Sequence, residues 1–162
     1  MNTPLHPFFT HFPIALLIVG LLFEIIGLLR KQAFFGEMSF WMLLGGAAGA
    51  AMAVITGGWE EDKLRMSDAL HEAVEQHETI GFLFAWLVAA LFVWKLLRKA
   101  HMKANETRVF IGAYAVTVIL MLYGGWLGGK LVYDYGAGVK GVTILETEKR
   151  SDSVQSPTSE QP

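Results

Sequence analysis

Four long apolar runs, almost empty of charge, decide what this chain can fold into. A hydrocarbon core about 30 Å thick takes roughly 20 residues of helix at 1.5 Å each. Four stretches meet that length, about residues 12–29, 40–58, 79–97 and 109–132. The first holds one charge, Glu24; the second holds none; the third is charged only near its end, at Lys95; the fourth is uncharged as far as Gly129. Composition agrees: charged residues are 17% of the chain, against about 25% in a soluble domain. The expected fold is all-α, a four-helix transmembrane bundle over residues 1–142, followed by a disordered polar tail over 143–162 that has almost nothing to bury.

The same counts exclude whole classes of function. A net charge of −2 offers no basic face for a nucleic acid. With no cysteine there is no disulfide, iron–sulfur cluster, thiolate zinc site or covalently attached haem. No Ser–His–Asp arrangement, zinc-protease motif or phosphate loop is present; His71-Glu72-Ala73-Val74-Glu75 misses the zinc motif at its last position. A stand-alone enzyme is not the expectation. The first span is expected to stay in the mature protein, because Met1 to His11 carry no Lys or Arg and no small-residue cleavage site follows.

Charge in the connections sets the orientation. Arg30, Lys31, Lys95, Arg98, Lys99, Lys103 and Arg108 flank one side, and only Lys63 and Arg65 the other, among seven acidic residues from Glu60 to Glu78. By the positive-inside rule both termini lie outside the cytoplasm. The segment from Asp68, behind the N-cap candidate Ser67, is rich in helix formers, so the third helix is expected to carry an amphipathic extension about three turns above the membrane.

Landmarks in the two halves suggest a duplicated helical hairpin. Leu28-Leu29-Arg30-Lys31 matches Leu96-Leu97-Arg98-Lys99, Gly57-Gly58-Trp59 matches Gly124-Gly125-Trp126, and His11 matches His77, at offsets of 68, 67 and 66. Such a parallel repeat has its axis along the membrane normal, which sets His11 and His77 at one depth on two related helices. The spacings Gly45-x-x-x-Gly49 and Gly124-x-x-x-Gly128 allow close helix approach, within the bundle or in a homo-oligomer.

Few polar residues need explaining. His6, His11, His71 and His77 fall on the outer side, and His101 in the basic turn. His11 and His77, at the membrane boundary, are the leading cofactor ligands; His6, held extended by Pro7, is a third. Pro13 is expected in the first turn of the first helix. Glu24 lies about 9 Å inside the cytoplasmic end, where an ionisable group is a functional hypothesis. Its expected partner is Lys95 or Arg98, as an ion pair, with a proton or ion relay as the alternative.

Leu5-His6-Pro7 with His11-Phe12-Pro13-Ile14-Ala15-Leu16, an acidic residue late in the first span, a histidine opening the third, and Gly128-Gly129-Lys130-Leu131-Val132-Tyr133 with Gly136-Ala137-Gly138-Val139 together resemble the bacterial transmembrane family catalogued as domain of unknown function 2231. The resemblance covers roughly residues 4–142. It implies a four-helix inner-membrane protein and no established activity. Glu24 stands where the family more often has aspartate.

Three functions compete. A b-type haem held by His11 and His77, with Trp59, Trp126 and Phe84 lining the pocket, gives a redox or sensing unit, whose partner is another membrane or periplasmic redox protein. Its weaker form is a divalent metal held by His6, His11, His77 and Glu60. An accessory subunit without a cofactor comes next. A transporter or channel comes last, since the spans are continuous and nearly all apolar.

Overall fold

In the computed structural model, which describes residues 5–61, 68–98 and 101–137, four helices follow one another: α1 (Leu5–Arg30), α2 (Ala33–Glu61), α3 (Asp68–Arg98) and α4 (Ala104–Tyr133). No strand occurs among the described residues. All four are long and apolar enough to cross a membrane, and the protein is a membrane protein with four spanning helices. Each helix outruns its apolar stretch, and in α3 good helix formers carry the extension. The α3 extension starts at Asp68. The expected loop after the first span shrinks to Lys31 and Gln32, with Lys31 at φ 53° reversing the chain. Gly136, at φ 66°, closes α4 by donating its N–H to the Val132 carbonyl. The tail expected to be disordered lies outside the described residues.

Large apolar side chains such as Leu22, Trp41, Ile55, Trp86, Ile119 and Leu122 point outward, which is where lipid replaces water as the surrounding medium. The interior is built from Leu17, Leu43, Val88, Leu91, Phe110, Tyr114, Val118 and Met121. Each of α1 and α3 packs on both α2 and α4, and neither diagonal pair of backbones touches. The helices form a ring of four.

The two halves repeat, in a register other than 66–68. Glu24 and Lys95, which meet across the diagonal, stand 71 residues apart. The same offset carries the start of α2 onto that of α4, and Gly57-Gly58 onto Gly128-Gly129. It also carries buried Ser39, Leu43, Gly46, Ala50, Ala53 and Thr56 onto buried Phe110, Tyr114, Thr117, Met121, Gly124 and Leu127. Similar burial at these positions relates the two halves by a rough two-fold about the centre of the ring, although the α1–α2 pair packs much more closely than the α3–α4 pair. The Leu-Leu-Arg-Lys match that set the shorter offset aligns helix ends that are not equivalent around this axis.

Small residues act inside the bundle on α2. A Cβ on Gly46 would overlap the Leu17 side chain, and one on Gly49 would come 2.8 Å from Pro13 Cδ. Pro13 itself lies inside α1, eight residues past its start, rather than in the first turn. On α4, Gly124 and Gly128 face Ile80 and His77, whereas Gly125 and Gly129 meet nothing within 4 Å.

Candidate functional site

Two pairs of residues at equivalent positions meet across the ring, one near each end of the bundle, and both are polar.

At the end that holds the N-terminus, His6 of α1 faces His77 of α3, with ring centroids 6.0 Å apart and planes at 88°. The His6 ring sits over Gly57, where a Cβ would come 3.1 Å from Nδ1. That nitrogen lies 2.7 Å from the Ala53 carbonyl oxygen. A carbonyl only accepts, so Nδ1 is the donor in this contact. His77 repeats the arrangement 71 positions later: its ring lies against Gly128 and faces the Gly124 carbonyl. Its Nδ1 is nonetheless buried without a well-formed hydrogen bond. One and two turns from His77 toward the start of α3, Val74 and Leu70 are buried on the same face.

His11 does not join them. The chain is helical from Leu5 rather than extended at His6, so His6 and His11 lie five residues apart on one helix, about 140° around it. His11 is exposed, and its ring bonds back to the Pro7 carbonyl, which also accepts from the Thr10 hydroxyl. His71 and His101 are exposed as well. The Glu60 side chain lies outside the described residues, and those residues hold no group of three or more His, Cys, Asp or Glu able to hold a metal ion. Trp59 and Trp126 are exposed, while Phe84 packs against the core.

At the opposite end, Lys95 Nζ donates to both carboxylate oxygens of Glu24, at 2.6 and 2.7 Å, with both side chains nearly inaccessible. The ammonium also stands 5.2 Å from the centre of the Phe110 ring. Arg98 turns instead to Glu106, with two bonds of 2.9 Å, and Trp94 Nε1 donates to the same carboxylate at 3.1 Å. One turn above Glu24, the Tyr114 hydroxyl packs on Gly20, buried and without a partner. Ser39 Oγ is likewise buried and unpartnered. Neither residue was among those picked from the sequence, because a lone Tyr or Ser in an apolar span carries no signature there.

His6 did have a signature. It precedes Glu24 by 18 residues, and His77 precedes Lys95 by the same number. Eighteen residues are five whole turns of helix, so each histidine stands directly above the intramembrane charge of its own helix, about 27 Å away.

A family model described as "Predicted membrane protein (DUF2231)" matches residues 2–141. No curated protein and no solved structure matches the chain.

Proposed function

The chain belongs to the DUF2231 family of predicted membrane proteins, and since that description carries no activity, we propose a function from the histidine pair. The protein is an electron-transfer or redox-sensing unit whose His6 and His77 ligate one transition-metal centre, the iron of a b-type haem. The observation that carries this reading is the pair of imidazoles opposed across the axis at 6.0 Å. Two imidazoles bound through nitrogen to one ion at about 2.0–2.1 Å put their ring centres about 6 Å apart. Hydrogen bonding of the remote ring nitrogen to a backbone carbonyl, seen at His6, is the usual support of a histidine ligand.

Haem suits this donor set better than a bare divalent ion. Haem iron takes four nitrogens from its macrocycle and asks the protein for two, whereas a zinc-like ion wants about four ligands. A bound haem would exchange one electron between its ferric and ferrous states. Gly57 and Gly128 offer bare backbone beside the rings, and the apolar interior favours a flat, greasy group. The charge of the connections supports an inner membrane with both termini outside the cytoplasm, so the site faces a periplasmic or membrane redox partner.

Protein purified from haem-replete membranes is expected to show a Soret band and, once reduced, the split visible bands of six-coordinate b-type haem. His6→Ala and His77→Ala should each abolish that spectrum, and His11→Ala, His71→Ala and His101→Ala should leave it. Metal analysis of the same sample separates haem iron from a bare ion, the latter implicating Glu60 as a further ligand. A colourless, metal-free preparation overturns the reading and leaves an accessory subunit. Reporter fusions after residue 137 and near Lys103 test the orientation; a cytoplasmic tail would refute it.

A further inference from the structure

The seam between α3 and α4 is not closed. At the terminal end of the bundle it holds a groove of about 540 Å³, whose walls include Glu72 and Glu75 of the α3 extension, Lys130 of α4, and Ile80 and Leu127 on the side toward the membrane centre. Among the described residues, neither carboxylate is in an ion pair. The Lys130 ammonium is held 5.1 Å from the centre of the Trp126 ring. Further along the same seam lies a second groove of about 310 Å³, walled by Leu87, Ala90, Leu91 and Val116, among others. Its Thr117 hydroxyl is already donating to the Ala113 carbonyl. The α3–α4 face thus carries charges of both signs in the groove at the terminal end and hydrocarbon side chains in a separate groove within the span.

We infer that this seam binds one phospholipid with a primary-amine headgroup, a phosphatidylethanolamine, from the leaflet at the terminal end. Lys130 meets the phosphate, Glu72 and Glu75 accept hydrogen bonds from the ammonium, and an acyl chain descends past Ile80 and Leu127 toward Leu87. The reach is right: Thr79 to Leu87 is about 12 Å of helix, against about 15 Å for one leaflet. Charge decides the class. A neutral isoprenoid quinone would leave both carboxylates without a counterpart, and an anionic lipid would meet two carboxylates with no cation of its own.

The test is native mass spectrometry of the full chain, stripped of lipid in detergent and titrated separately with phosphatidylethanolamine, phosphatidylcholine and phosphatidylglycerol. The expected result is one phosphatidylethanolamine per chain, bound at least tenfold more tightly than either other lipid. Glu72→Gln with Glu75→Gln should erase the preference over phosphatidylcholine, whose headgroup has no N–H. Lys130→Gln should weaken all three. Equal affinities in the wild type, a preference for phosphatidylglycerol, or a quinone that no phospholipid displaces would each overturn the inference. The wild-type series decides even if a variant does not fold.

Discussion

Glu24 and Lys95 are buried charges whose account closes only as a pair. Removing one partner leaves the other unpaired in a poor dielectric, at a cost of about 3–5 kcal/mol, whereas replacing both by apolar residues of similar size is close to neutral. Glu24→Gln and Lys95→Met should therefore each lower the melting temperature in detergent sharply, and Glu24→Leu with Lys95→Leu should restore most of the loss. A double variant no better than the singles would mean that the charges do something other than pair. Sequence alone named Glu24 and two cations for it, because an acidic side chain in an apolar span stands out. It could not choose between Lys95 and Arg98, three residues apart on one helix, because the choice is made by Glu106, which draws Arg98 away to the end of α4.

At the level of the helix, glycines that look alike in the sequence differ in what they touch. Gly46 faces Leu17 on α1, and Gly58 meets nothing within 4 Å. Gly46→Ala forces extra volume into a closed contact and should destabilise by about 1–3 kcal/mol. Gly58→Ala fills open space and should gain roughly 0.5–1 kcal/mol of helix propensity. Thermal melts of the two variants in one detergent should move in opposite directions; movement in the same direction would contradict the packing described for α2. The spans themselves were legible, because a run of 20 apolar residues has few other fates. The start of α3 at Asp68 was legible too, from the helix formers that follow it, but the starts of α1 and α2 were not, since hydropathy records where hydrocarbon stops and backbone hydrogen bonding continues through Ala33-Phe34-Phe35 regardless. His6 rather than His11 stands opposite His77 for a related reason: α1 begins at Leu5, and helical phase turns His11 outward.

For the molecule as a whole, the two-fold relation makes a demand that a four-helix bundle without a repeat would not. Glu24 and Lys95 occupy equivalent positions, so exchanging them preserves the pair. Glu24→Lys alone or Lys95→Glu alone sets like charges face to face and should collapse the fold, while the double exchange should regain a melting temperature close to wild type. Failure of the exchange to rescue would show that Phe110 and Tyr114, which lack counterparts of their own kind in α2, fix the polarity of the pair. The repeat was visible in the sequence as a recurrence of Gly-Gly and His, but α4 carries Gly-Gly twice, at 124–125 and 128–129, and burial is what selects the second.

The 71 residues between Glu24 and Lys95 are also an interval of time. A ribosome adding about 5–20 residues per second needs about 4–14 s to make Lys95 after Glu24. Through that interval α1 and α2, joined by two residues, are already long enough to enter the bilayer as a hairpin with a bare carboxyl group in its span. Until α3 arrives, the Glu24 carboxyl group of the nascent first hairpin is without the ammonium that holds it in the finished bundle. The ion pair thus forms only once α3 has been made, and a chain truncated before residue 95 carries an intramembrane carboxyl group that has lost the partner it has in the finished protein.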